Sequence, residues 1–150
     1  MDLILWRHAD AEDGMADSER RLTAKGVKQA ARVAKWLKKR LPTDAVVLAS
    51  PARRAQQTAR ALTHDFRTVK EIGAAATPQV MLAAAGWPDA AGTVVVVGHQ
   101  PTLGQVAALL LTGSAGWWDI KKGAIWWFAH RGREVGGRAY LRAVMSADLS

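Results

Sequence analysis

The chain has 150 residues, 21 lysines and arginines against 13 aspartates and glutamates, a formal net charge of +8 and no cysteine. That length predicts one domain over residues 1–150, and the missing cysteines exclude disulfides, zinc–thiolate sites and thiol nucleophiles. No apolar run approaches the ~18 residues of a membrane span, and the N-terminus lacks the basic start and long apolar core of a signal peptide, so a cytoplasmic protein without a membrane partner is expected.

Leu3–Trp6 is a short apolar run that reads as a buried strand, ending abruptly in Arg7-His8. Ala9–Leu22, rich in Asp, Glu and Arg, reads as a functional loop. Thr23 is a good N-cap for a helix from Ala24 to Arg40, with Val27, Ala30, Ala31, Ala34, Leu37 and Leu41 on its buried face. Gly26 weakens its first turn slightly. Ala45–Ala49 is a second strand. Ser50 as N-cap and Pro51 at the first helical position then open a helix to Leu62. Arg67–Ile72 reads as a strand near an edge, and Thr77-Pro78 starts a helix that runs through Ala85.

Thr93–Val97 holds four consecutive valines, the mark of a strand buried on both faces. Gly98-His99-Gln100-Pro101 follows, then a helix from Thr102 to Leu111. Ala124–Ala129 and Arg138–Met145 are two further strands, joined by a hairpin loop over Arg131–Gly137. Strands alternate with helices early and a hairpin comes last. The expected fold is α/β: a three-layer sandwich whose mostly parallel sheet has helices on both faces and an antiparallel C-terminal hairpin.

Three of these strands end in polar signatures: Arg7-His8, Ser50-Pro51-Ala52-Arg53-Arg54 and Gly98-His99. Parallel strands deliver their C-terminal ends to one edge, so these groups converge. Two histidines and at least two arginines around one cleft make an anion site. One neutral imidazole among cations can attack phosphorus while a second hydrogen-bonds the phosphoryl oxygens, without a metal. The four histidines show no HExxH-like pairing, and no metal or other cofactor is expected.

Arg7-His8-Ala9 resembles the Arg-His-Gly signature of the histidine phosphatase superfamily, the phosphoglycerate mutase-like fold. Ser50-Pro51-x-x-Arg54-x-x-x-Thr58 is similar to its second motif, Gly98-His99 to its late strand-end histidine, and Arg20-x-Leu22-Thr23-x-x-Gly26 to its Arg-x-Leu-Thr-x-x-Gly pattern. The short length looks most like the small SixA phosphohistidine phosphatase branch. The resemblance implies His8 as nucleophile, Arg7 and Arg54 as phosphoryl clamps, His99 as a protonated hydrogen-bond donor and Arg20 as a further clamp. Arg53, beside the matching position, reads as a surface salt-bridge partner.

Two departures matter. Ala9 stands where the family has glycine, which costs freedom if a positive φ is needed. The general acid of larger members is missing: Ala74-Ala75-Ala76 offers no carboxylate. Asp17 is the candidate that remains, either as that acid or as a structural partner of Arg20. Asp10 and Glu12 read as ordinary loop charges. An alkoxide needs a proton to leave, whereas imidazole, with a conjugate acid of pKa about 6.5, leaves far more easily. A site without a strong acid therefore suits phosphohistidine in a protein.

The competing readings are a small-molecule phosphomonoesterase with a phosphate substrate, a non-catalytic phosphate- or phosphoprotein-binding module, and nucleic-acid binding driven by charge. The last has no zinc finger, aromatic RNA-binding signature or basic arm behind it, so nucleic acid is not the expected partner. The cluster Lys35, Lys38, Lys39 and Arg40 reads as a solvated helix face. His64 and His130 read as surface residues. Trp117, Trp118, Trp126, Trp127 and Phe128 read as packing over the sheet, with a partner surface as the alternative. The oligomeric state is left open.

Overall fold

A computed structural model describes residues 1–131 and 139–150. The apolar runs become strands β1 (Asp2–Arg7), β2 (Val46–Ala49), β3 (Arg67–Thr68), β4 (Thr93–Gly98), β5 (Ile125–His130) and β6 (Ala139–Met145). They form one six-stranded sheet in the order β3-β2-β4-β1-β5-β6. The first four strands run parallel, β5 adds antiparallel to β1, and β6 adds antiparallel to β5. The expected hairpin loop lies, beyond Arg131, outside the described residues.

Alternation along the strands divides the core into two layers. Ile4, Trp6, Val47, Ala49, Val95 and Val97 face helices α1 (Ala24–Lys38) and α2 (Arg53–Leu62). Leu3, Leu5, Leu48, Val94 and Val96 face α3 (Pro78–Ala85) and α4 (Thr102–Thr112). The α/β three-layer architecture is therefore observed, with helices on both faces. None of the helices among the described residues is long and apolar enough to cross a membrane.

Two polar groups set among the sheet's apolar residues, the Trp6 indole and the Asp2 carboxylate, are paired. The Trp6 indole donates to the Gly123 carbonyl at 3.0 Å. Asp2, 4% exposed, accepts from the Trp127 indole and pairs with Arg131 and Arg142. Trp127 and Phe128 are buried, while Trp117 is 80% exposed.

Local differences from expectation have physical causes. The second helix begins at Arg53, with Ala52 in the cap position. The Ser50 hydroxyl is engaged elsewhere, on Ala52 N–H and His99, so it does not cap. The third strand stops at Thr68, because Lys70–Ile72 turns into a 3₁₀ segment that buries Ile72 in the α3/α4 layer. On α1 the buried residues are Gly26, Ala30, Val33, Ala34 and Leu37. Val27 and Ala31, expected in the core, face outward.

Thr23 caps α1, its hydroxyl accepting the Gly26 N–H at 3.0 Å and donating to the Asp10 carboxylate at 2.7 Å. Gly26 lies directly under the Asp10 carbonyl, so an added Cβ would stand 2.0 Å from that oxygen. Helix propensity alone favours alanine there by about 1 kcal/mol. The clash reverses the sign. Gly26→Ala is expected to destabilise the fold by about 1–3 kcal/mol, seen as a lower urea midpoint; a variant as stable as the parent would contradict this packing.

Candidate active site

The site is assembled by register. Arg7 pairs with Gly98 across β1 and β4, so the next residues, His8 and His99, leave neighbouring strand ends together. Their ring centroids lie 5.2 Å apart. The helix after β1 packs on one face of the sheet and the helix after β4 on the other, which opens a crevice between those two strand ends. Arg54, in the first turn of α2, reaches into it from the third strand end.

Hydrogen bonds fix each ring's tautomer. His8 Nδ1 is 2.8 Å from the Ala9 carbonyl. A carbonyl only accepts, so Nδ1 carries the proton and Nε2 holds the lone pair, facing Arg54 Nε at 3.3 Å. His99 has the opposite arrangement. Its Nδ1 faces Arg54 Nη2 at 3.3 Å, and a guanidinium only donates. Nδ1 therefore accepts, and Nε2 donates to Ser50 Oγ at 2.7 Å.

Burial, with His99 and the guanidiniums of Arg54 and Arg7 adding to it and the Ala9 carbonyl opposing it, pushes His8 down to about 3. Burial and Arg54 likewise push His99 down to about 4, against the opposing pull of Asp17. At neutral pH both rings are therefore neutral, His99 included. A buried imidazolium facing a guanidinium would be two cations in contact.

The guanidinium of Arg54, 3% exposed, is held from below and above. Besides the two imidazoles it donates to the Asp17 carbonyl at 2.7 Å and the Asp17 carboxylate at 3.1 Å. Asp17 also receives Arg20 at 3.1 Å. Arg54 first, then Arg20, holds the Asp17 carboxyl below the usual aspartate range. Arg7 donates to the Ile120 carbonyl at 2.9 Å, and its Nε is buried with no hydrogen-bond partner. Lys122, paired with Asp10 at 3.1 Å, closes the rim. The cleft of about 350 Å³ is thus lined by Arg7, His8, Asp17, Arg20, Arg54, His99, Gln100 and Lys122.

Thr58 ties two motifs together: its hydroxyl donates to the Arg54 carbonyl at 2.8 Å and accepts the Ala9 N–H at 3.1 Å. No described non-glycine residue has a positive φ, so Ala9 occupies its place without backbone strain. Lys122 and Gln100 were not anticipated. Gln100 holds the Trp118 carbonyl and the Gly104 N–H, both at 2.7 Å, which braces the 114–124 segment carrying Ile120 and Lys122. Their only signal was position, one beside a motif and one before the last strands.

Other expected residues lie outside the cleft. Arg53 is exposed and forms no ion pair with a described residue. His64 is exposed, and His130 is half-buried against the Trp87 ring. Among the described residues, no cluster of His, Asp and Glu is arranged to hold a metal ion.

The family model for the histidine phosphatase superfamily (branch 1) matches residues 3–76. An uncharacterized protein of Mycobacterium tuberculosis is 35% identical over 108 residues, covering 69% of this chain and 68% of that one. This chain belongs to the histidine phosphatase superfamily. Among solved structures of the family fold, a candidate phosphohistidine phosphatase SixA from Nakamurella multipartitia is 28% identical, with a TM-score of 0.79, over 96% of this chain and 94% of its own. The protein histidine phosphatase SixA complexed with tungstate is 25% identical, with a TM-score of 0.79, over 99% and 98%.

The depressed imidazole pKa values carry a sign. The unfolded chain takes up protons near pH 6.5 that the folded site refuses, so the two histidines cost stability progressively as pH falls from about 6.5, toward about 4 for His99 and about 3 for His8. Nitrogen-15 spectra of labelled histidine are expected to show His8 in the Nδ1–H form and His99 in the Nε2–H form, both still neutral at about pH 5.5. A protonation midpoint near 6.5 for either ring would contradict the assigned environment.

Proposed function

We propose that the chain is a phosphohydrolase that takes a phosphoryl group onto His8 Nε2, and that its substrate is phosphohistidine carried on a protein. The observation that carries this is the His8 ring: neutral, with its proton held on Nδ1 by the Ala9 carbonyl and its Nε2 lone pair turned into a cationic cleft. The unpartnered Arg7 Nε, Arg54 and Arg20 are the donors a phosphoryl group requires.

In the first step the Nε2 lone pair forms a bond to phosphorus while the bond from phosphorus to the leaving atom breaks. The electron pair departs with the leaving group, which takes its proton from solvent. The phosphorylated ring is stabilised through Nδ1–H on Ala9. His99 at rest is neutral, and an incoming phosphoryl dianion raises its pKa, so it gains a proton and becomes a donor to the transition state. Water then adds to phosphorus, the bond to Nε2 breaks with its electrons returning to the ring, and the water's proton is released.

Asp17 serves this site as the counter-ion that anchors Arg54 and Arg20, not as a proton donor. A carboxylate bridging two guanidiniums is ionised throughout the neutral range. With Asp17 ionised, the described cleft residues offer no protonated carboxyl, so the chemistry favours a leaving group that departs without one, and the imidazole of phosphohistidine is such a group. The SixA neighbours, one of them a protein histidine phosphatase binding a tetrahedral oxyanion, support the same substrate class.

Phosphate release from a phosphohistidine-bearing protein and from para-nitrophenyl phosphate, with chelator present, tests this for wild type and His8→Ala. Faster release from phosphohistidine, abolished by His8→Ala, is expected. Release from the aryl ester alone would move the substrate to small molecules, and phosphate binding without turnover would make the site a binding module. Asp17→Asn is expected to lower kcat on phosphohistidine by less than about tenfold. A loss on the order of 10²–10⁴, as for a general acid, would overturn the counter-ion role.

A further inference from the structure

The basic excess is not spread over the molecule. Twelve of the 21 lysines and arginines lie between Arg20 and Leu62, with Asp44 the one acid among them. That segment carries α1 and α2, whereas α3 and α4 on the opposite face contain no charged residue. An open groove of about 740 Å³ runs between α1 and α2. Its floor includes Val27, Ala31 and Ala61, and its rim Lys35, Lys38 and Arg60. Val27 is 54% exposed. None of the three rim cations is ion-paired with a described residue.

The groove lies next to the phosphoryl site along α2, although the two share no lining residue. The Gln57 side chain, one turn beyond Arg54, accepts the Leu22 N–H at 2.7 Å, and both residues line the groove. Arg54 and Ala61 lie about 10 Å apart along α2. A chain segment docked in the groove can therefore belong to the same molecule that presents a phosphorylated side chain to His8.

We infer that this groove docks an acidic amphipathic segment of the phosphoprotein substrate, apolar side on Val27, Ala31 and Ala61, carboxylates on Lys35, Lys38 and Arg60. The inference rests on the phosphohistidine reading above. Such a segment uses both features of the groove at once, the concave apolar floor and rim cations that no described carboxylate neutralises. A nucleic-acid backbone would use the cations and leave the floor wet, and a flat anionic bilayer cannot enter a concavity. Charge of one sign along the groove also steers the acidic partner toward the cleft.

Two chemically phosphorylated histidine peptides test this: one fused to an amphipathic helix with a glutamate face, the other to the same helix with glutamine in place of glutamate. At low salt, wild type is expected to turn over the acidic peptide with a kcat/KM at least tenfold higher. K35Q/K38Q/R60Q is expected to erase that preference while leaving turnover of the glutamine peptide within about twofold. Equal preference in both proteins, or an equal loss on both peptides, would overturn the groove assignment. If neither peptide is turned over but para-nitrophenyl phosphate is, the phosphohistidine reading is what fails. Fluorescence anisotropy of the labelled acidic helix then decides the groove alone: binding at least tenfold weaker in the triple variant supports it, and equal binding, or selective binding of duplex DNA or phosphatidylglycerol vesicles instead, refutes it.

Discussion

The site depends on the in-register parallel pairing of β1 with β4. Arg7 opposite Gly98 sets the two histidines side by side, and the helices that follow leave to opposite faces, so the crevice opens where the imidazoles stand. A slip of one residue would exchange Leu3 and Leu5 with Ile4 and Trp6 between the two core layers and turn every side chain to the wrong face. The valine run of β4 and the apolar start of β1 thus fix the chemistry as firmly as they fix the core.

Fixed cations then decide the protonation of the site. Arg54 donates to both imidazoles, which requires a lone pair from each and keeps both rings neutral. The guanidiniums in turn need compensation, and they find it in the Ile120, Glu12 and Asp17 carbonyls and the Asp17 carboxylate. That arrangement holds the Asp17 carboxyl below the usual aspartate range. In the proposed mechanism, the ionised Asp17 and the neutral His8 nucleophile have one origin: a crowded cluster of arginines.

Much of this was legible in the sequence because it rests on local rules. Strand ends, the Thr23 and Thr77 caps and the sheet's two buried layers follow from apolar runs and cap chemistry. The motif residues Arg7, His8, Arg54 and His99 could be named because they follow those ends, and loop-borne Arg20 because its motif resembles the family's. What could not be read depends on partners distant in sequence. Ser50 looked like a helix cap until His99 claimed its hydroxyl. Gly26 looked like a mere weakness in a helix, and its need appears only when the Asp10 carbonyl is placed against it. Lys122 enters the cleft from a segment more than 100 residues away from its partner Asp10. Val27 and Ala31 satisfy a helical core pattern, yet α2 leaves a groove where the pattern predicts contact.

The proposed reaction passes through a covalent phosphoryl group at one nitrogen. Rapid quenching of the enzyme during turnover of a radiolabelled phosphohistidine protein examines it directly. The expected result is an acid-labile, alkali-stable label recovered on the His8 peptide and bonded through Nε2. Label on a different residue, or steady turnover by His8→Ala with no label on the chain, would contradict the account.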